Sequence, residues 1–343
     1  MSLANDYRPK SFDDVVEQDV VVNILKNICS KELQNRNFLL IGSQGIGKTT
    51  LARIMNIALN DGECEPIELD GASNNGIDDI RSIIEDARQY PIQGKYKVFI
   101  IDECQALSAA AWGSMLKLLE ESPARSVFIL CTTNPEKIPA TIISRVQVFR
   151  LSKISTEGIY NRLLHVVKSE IQSGREIEYA PDGIAYIAKM ASGGMRDALT
   201  LLDKCLAYSN NINSDNVVAA LGLPSFYDYF KLIVCLSKHD TPNMIELVDS
   251  VYNSGTNFVS WFEGFNSFLA NVIQYCFIRD ITRVKIPASY ESKISKYGES
   301  HAKICMIIAS SVTKLIAELR KTSYQQEAAV IHLCELTRKR DEK

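Results

Sequence analysis

What the chain lacks narrows it first. No apolar run approaches the roughly 20 residues needed to cross a hydrocarbon core, so no transmembrane helix is expected. The opening residues Met1-Ser2-Leu3-Ala4-Asn5-Asp6 carry neither a basic start nor an apolar core, so no secretion signal is expected either. Nine cysteines are scattered singly, without a C-x-x-C pair. That pattern points to reduced thiols in a cytoplasmic protein and away from disulfides. Positive charge is not in excess: 38 Lys and Arg face 41 Asp and Glu, a net charge of −3. Any contact with nucleic acid therefore has to come from a local surface or from several subunits acting together. Internal repeats and low-complexity tracts are missing as well.

What is present starts with size. At 343 residues, 46% of them hydrophobic, the chain has room for two or three domains with full cores. Its most informative stretch is Gly42-Ser43-Gln44-Gly45-Ile46-Gly47-Lys48-Thr49, which fits G-x-x-x-x-G-K-[ST] at every fixed position. Asn37–Ile41 just before it is an apolar run short enough for a buried strand, and Thr50 to Leu59 has helical periodicity. A strand, a glycine-rich turn and a helix N-terminus gather backbone N–H groups and the positive end of a dipole around a phosphate. Gly42 through Gly47, with Thr50, are expected to cradle a nucleoside triphosphate. Lys48 is expected to reach its terminal phosphates, and Thr49 to hold Mg²⁺.

The first 150 or so residues alternate strand-like and helix-like segments, the pattern of an α/β domain with a parallel sheet. Further strands are expected at Ile67–Asp70, Lys97–Ile101, Ser126–Cys131 and Val146–Leu151, with Ser108 capping a helix through Trp112 and Leu119. From residue 152 the pattern turns helical, over 156–173, 182–191 and 195–209. Asn210–Ser214 carries the polarity of a linker, and Gly222-Leu223-Pro224 that of a hinge. An almost purely helical remainder follows to about 338, with helices at 226–237, 242–253, 256–279 and 300–321.

Several side chains cluster at strand ends, where a parallel sheet gathers its ligands. Asp102 and Glu103 close an apolar strand; one carboxylate there can hold Mg²⁺ through water, and its neighbour can polarise the water that attacks a γ-phosphate. Thr132-Thr133-Asn134 ends the next strand, and Thr133 is the first choice for a γ-phosphate contact. Arg145 follows Ser144 at a domain rim. Arg196 opens a helix after Gly193-Gly194.

Taken in order, Tyr7-Arg8-Pro9, Phe12-Asp13-Asp14-Val15-Val16, the phosphate loop, Ile101-Asp102-Glu103-Cys104, Leu118-Leu119-Glu120-Glu121, Thr132–Pro135, Ser144-Arg145 and Gly194–Ala198 resemble the clamp-loader AAA+ ATPases. Within them the set is similar to the gamma/tau subunits of bacterial DNA polymerase III. The resemblance covers roughly residues 5–200, and a helical collar matches the rest in length and character. It implies an AAA+ P-loop domain with a parallel sheet over 1–152, a small helical lid over 153–212 and an all-helical collar over 213–343.

The resemblance also implies roles. Tyr7, Arg8, Pro9, Val15 and Val16 would line the adenine pocket. Thr133 would be the first sensor and Arg196 the second. Arg145 would be an arginine finger acting on ATP held by a neighbouring subunit. Copies of this chain, delta and delta-prime type subunits, a sliding clamp and primer–template DNA are the implied partners, in a bacterial cytoplasm or, for a phage-encoded chain, that of its host. Asn74, Asn75 and Arg81, at a helix start, would face the phosphates of DNA.

Three departures stand out. The span that holds a four-cysteine zinc module in cellular gamma/tau subunits is shortened and keeps only Cys64, so no zinc is expected. Val146 replaces the cysteine usual after the finger. Glu17 replaces a glycine in Val-Val-Gly-Gln. The chain ends after the collar, which implies a gamma-like form. The competing readings are another AAA+ remodeller, such as a helicase loader or branch-migration motor, and a non-hydrolysing ring member.

Overall fold

The computed structural model describes residues 2–33, 35–222 and 225–338. Leu223 and Pro224 of the expected hinge lie outside the described residues, as do Met1 and the last five residues assigned to the collar. The chain divides into two compact units, one made of 1–169 with 191–203, the other of 170–190 with 204–343. The segment expected as a lid, 153–212, contributes to both.

The first unit is built on five parallel strands: β1 (Asn37–Ile41), β2 (Ile67–Asp70), β3 (Lys97–Asp102), β4 (Ser126–Thr132) and β5 (Gln147–Arg150). Their order across the sheet is β2-β3-β4-β1-β5. Neighbouring side chains on a strand point to opposite faces, so the continuous apolar runs of β1, β3 and β4 feed two cores at once. Phe38, Leu40, Val98, Ile100, Val127 and Ile129 pack against Leu51, Ile54 and Met55 of the helix Lys48–Leu59. Leu39, Ile41, Phe99, Ile101, Phe128 and Leu130 pack on the other face against Ile80, Ile83, Trp112 and Met115. Phe99 and Phe128 stack with ring centroids 5.2 Å apart.

Register fixes what this sheet presents at its carboxyl edge. Ile41 lies beside both Thr132 and Arg150, and Asp70 beside Asp102. The phosphate loop, the acid pair and Thr132 therefore emerge along one edge. The helix Ala109–Glu120 starts where expected, with Ser108 Oγ accepting the Ala111 N–H at 3.2 Å. Some boundaries moved. Thr132 is the last residue of β4 and not part of the turn, while β5 is shorter than the expected 146–151 because it pairs only with β1 at the sheet's edge.

The second unit is helical, with principal helices Phe226–Lys238, Thr241–Asn253, Phe258–Ile278, Glu299–Leu319 and Gln325–Arg338. Its interior is dense in aromatic rings: Tyr229 contacts Trp261, Phe265 and Phe268 at centroid distances of 5.1–5.5 Å. The polar stretch read as a linker is more structured than its composition implied. Asn211–Ile212 pairs in parallel with Glu178–Tyr179, and Asn213 caps the helix Ser214–Ala220. Among the described residues, no helix is long and apolar enough to cross a membrane.

Candidate active site

The turn between β1 and its helix needs backbone angles that disfavour side chains. Gly45 and Gly47 have φ of +75° and +110°, where a Cβ is strained. Lys48 is buried, 6% exposed, yet its ammonium is satisfied: Nζ donates to the carbonyls of Gly42 and Ser43 at 2.9 and 3.0 Å. A buried charge tolerates this only because its donors are used. One turn of helix holds both Lys48 and Thr49. Thr49 Oγ1 donates to Asp102 Oδ2 at 2.5 Å, and Asp102 Oδ1 accepts the Glu103 N–H at 2.9 Å.

Glu103 adopts a left-handed conformation, φ +46°, unusual for a residue with a side chain and common at functional turns. That turn brings a residue the sequence reading had passed over, Gln105, into the centre of the acid network. Gln105 Nε2 donates to Glu103 Oε2 and lies 3.3 Å from Thr133 Oγ1, while its Oε1 accepts from Thr132 Oγ1 at 2.6 Å. Thr133 Oγ1 itself lies 3.3 Å from Glu103 Oε2 and donates to Asn134 Oδ1 at 2.8 Å. The acid and the polar residues of the next strand thus share one amide. The nearby thiols of Cys104 and Cys131 are pushed up by burial and then by Asp102, so they pack as neutral groups.

Lys48, Thr49, Asp102 and Glu103 border a cavity of about 580 Å³, a size that suits a nucleotide. Its walls include Gln44 to Thr50, Asp102 and Glu103 on one side and Tyr7, Arg8, Pro9, Val15 and Val16 on another. Arg196 also lines it, with its N–H donating to the Gly45 carbonyl at 3.2 Å, so the helix Met195–Tyr208 begins against the loop. The amino-terminal segment is held in place by side chains: Arg162 Nη2 donates to the Tyr7 carbonyl at 3.0 Å, and the Leu3 N–H to Asp203 Oδ2 at 2.8 Å. Positive charge collects here. Burial, then Arg53, lower the pKa of Arg8, while a bidentate pair with Glu68 raises that of Arg53. A polyanion entering the cavity would relieve the crowding of Arg8, Arg53 and Arg196.

Some expected residues stand apart. Gly42 and Ser43 meet Lys48 through their carbonyls but do not line the cavity, and Thr133 reaches it only through Glu103 and Gln105. Arg145 does not line it at all. Its guanidinium pairs with Glu120 at 2.5 Å and donates to the Thr141 carbonyl at 2.8 Å. Asn74, Asn75 and Arg81 are likewise outside it: Arg81 pairs with Asp78 at 2.9 Å, Asn74 Nδ2 donates to the Asp70 carbonyl, and the Asn75 carbonyl accepts from Ser108. Besides Gln105, the sequence reading missed Arg53, Glu68 and Arg162, all on the cavity wall. Arg53 follows Thr49 by one helical turn, a spacing that could have marked it. Among the described residues, no group of three or more His, Cys, Asp or Glu side chains is arranged to hold a metal ion.

Sheet order, the glycine loop after β1 and the acid-tipped β3, one strand removed from β1 across β4, define a P-loop ATPase of the AAA+ class. In fold the chain is similar to the Holliday junction branch migration motor RuvB of Thermotoga maritima, with a TM-score of 0.53 over 68% of this chain and 80% of that one, at 21% identity. Residues 159–211 match the family described as DNA polymerase III clamp loader subunit, ATPase lid domain, and residues 64–155 that described as DNA polymerase III, delta subunit. The chain is 32% identical to the DNA polymerase III subunit gamma of Buchnera aphidicola (from Schizaphis graminum), covering 88% of each. It is 30% identical to the subunit tau of Bacillus subtilis over 97% of this chain and 63% of that longer protein. The chain belongs to the gamma/tau family of DNA polymerase III clamp-loader subunits.

Proposed function

We propose that this chain is the ATP-hydrolysing motor subunit of a sliding-clamp loader. The observation that carries the reading is the meeting, on one cavity wall, of buried Lys48 with the Thr49–Asp102 pair and Glu103. On binding ATP, Lys48 exchanges the carbonyls of Gly42 and Ser43 for terminal phosphate oxygens, while the loop N–H groups receive the rest of the charge. Thr49 Oγ1 and Asp102 Oδ2 are hard oxygen donors side by side, which suits Mg²⁺. When bound there, Mg²⁺ neutralises charge on the phosphates. Glu103 accepts a proton from the attacking water, Thr133 steers that water from the neighbouring strand, and Arg196 contacts the γ-phosphate from the lid side. Tyr7, Arg8, Pro9, Val15 and Val16 enclose the adenine.

In this reading the site is completed by Arg145 of an adjacent copy. It leaves Glu120 to stabilise charge on the transferred phosphoryl group. The ring contains delta and delta-prime type subunits, works in the cytoplasm, opens a sliding clamp and places it on primer–template DNA, with Asn74, Asn75 and Arg81 toward the DNA backbone. The proposed division is 1–152 for the ATPase, 153–212 for the lid and 213–343 for the collar. The test is ATP turnover measured with primed DNA and a cognate clamp, added singly and together. Stimulation by both supports clamp loading. Turnover that responds only to a four-way DNA junction would overturn it in favour of a branch-migration motor.

A further inference from the structure

Glu17 and Gln18 are consecutive residues with positive φ, +58° and +64°. Glycine visits that region freely, whereas side chains do so at a cost that the surroundings must offset. Both side chains are clamped to one short stretch. Glu17 accepts the Ser155 N–H through Oε2 at 3.0 Å and the Ser155 hydroxyl through Oε1. Gln18, 8% exposed, donates from Nε2 to the Ser152 carbonyl at 2.7 Å and accepts the Ser152 N–H at 3.1 Å. Ser155 Oγ in turn accepts the Gly158 N–H at 2.9 Å, at the start of the helix Thr156–Gln172. A carboxylate at this helix end is favoured by its dipole. Gly158 leaves the space: a Cβ there would lie 2.5 Å from Glu17 Oε1.

The clasp joins two walls of the nucleotide cavity. Val15 and Val16 lie just before Glu17, Ile154 just before Ser155, and Arg162 two turns into the helix; all four line the cavity. The geometry points to Glu17 as a positioning residue for the base: it holds Val15–Val16 against Ile154, so that the base-binding wall is already formed when nucleotide arrives. The inference rests on the adenine-pocket reading given above. Glycine at this position would relieve the backbone but leave the two walls unfastened on this side. Preformed walls raise affinity because less must be ordered on binding.

The experiment compares ATP with inorganic tripolyphosphate, which carries the phosphates without the base, by calorimetric titration of the full chain. Glu17→Ala is expected to weaken ATP binding on the order of tenfold, the scale of an ordinary coupling between sites, and to leave tripolyphosphate binding unchanged. Gly158→Ala should reproduce this split without touching Glu17, since its methyl group displaces the carboxylate while favouring the helix. Glu17→Gly removes the clasp and the backbone strain together, so it stays folded and should show the same split. Unchanged ATP affinity in all three variants, or an equal loss for tripolyphosphate, would overturn the assignment. An unmodified chain that binds tripolyphosphate but not ATP would instead refute the adenine pocket itself.

Discussion

The two units of this chain spend their polar groups in opposite ways. In the first, charged and amide side chains meet each other beside a cavity: Lys48 turns on its own loop, Thr49 meets Asp102, and Gln105 bridges Glu103 to Thr132. In the second, buried polar atoms serve packing, as where the Tyr229 hydroxyl donates to the Trp261 carbonyl at 3.1 Å inside a nest of rings. Left-handed residues without glycine are of two kinds. Glu17, Gln18 and Glu103 of the first unit lie on or next to the cavity-lining segments, whereas Asp61 and Ser192, like His239 and Arg279 of the second unit, follow helix ends. Strain at a helix end is routine chain reversal. Strain held by a side-chain network beside a cavity is the kind that shapes a site.

Substitutions in the first unit should therefore alter chemistry without unfolding it, and those in the second the reverse. The largest effect is expected for Lys48→Ala. It should abolish detectable ATP binding in a titration while the far-ultraviolet circular dichroism stays unchanged, and retained affinity would mean that the loop holds something other than a triphosphate. Next comes Arg145→Ala. Its guanidinium lies against Glu120 and away from its own chain's cavity, so nucleotide affinity should persist while turnover in the assembled ring falls by roughly 10³-fold, as for other arginine fingers. If isolated subunits lost turnover equally, Arg145 would not be acting across an interface.

How much of this was legible beforehand follows from range. The runs at Asn37–Ile41 and Ser126–Cys131 announced buried strands because parallel strands covered on both faces carry apolar residues without alternation. The loop and the acid pair are contiguous motifs, so they too could be read. Gln105 could not, because its place depends on the left-handed turn at Glu103, which nothing in Asp102-Glu103-Cys104 demands. Arg162 is separated from Tyr7 by 155 positions, and no local pattern reports a contact of that span. The strand at Asn211–Ile212 was hidden for a further reason: a two-residue parallel pairing has no period, and its polar composition reads as a linker.

Gln105 gives a sharper test of the first unit, with a smaller effect. Gln105→Ala should lower turnover by about tenfold, less than the roughly 10²–10⁴-fold that a general base itself contributes, with ATP affinity unchanged. Gln105→Glu sets a carboxylate beside Glu103. Like charges side by side hold a shared proton to higher pH. A base that must be ionised is then lost sooner as the pH falls, so the acidic limb of the turnover profile moves upward in Gln105→Glu and stays put in Gln105→Ala. Identical profiles for the two variants would reduce Gln105 to packing.

The smallest effect belongs to the second unit. Tyr229→Phe keeps the ring that packs on Trp261, Phe265 and Phe268 but removes the hydroxyl that donates to the Trp261 carbonyl, which keeps its place in the ladder of the helix Phe258–Ile278. Losing one such hydrogen bond costs about 0.5–1.5 kcal/mol. The cost is one of stability and not of rate, because no residue of that ring cluster lines the nucleotide cavity. Thermal unfolding should therefore begin at a lower temperature, with ATP affinity the same as in the unmodified chain. A change in nucleotide affinity larger than the change in stability would break the contrast between the units, since it would mean that the aromatic interior is coupled to a cavity it does not touch.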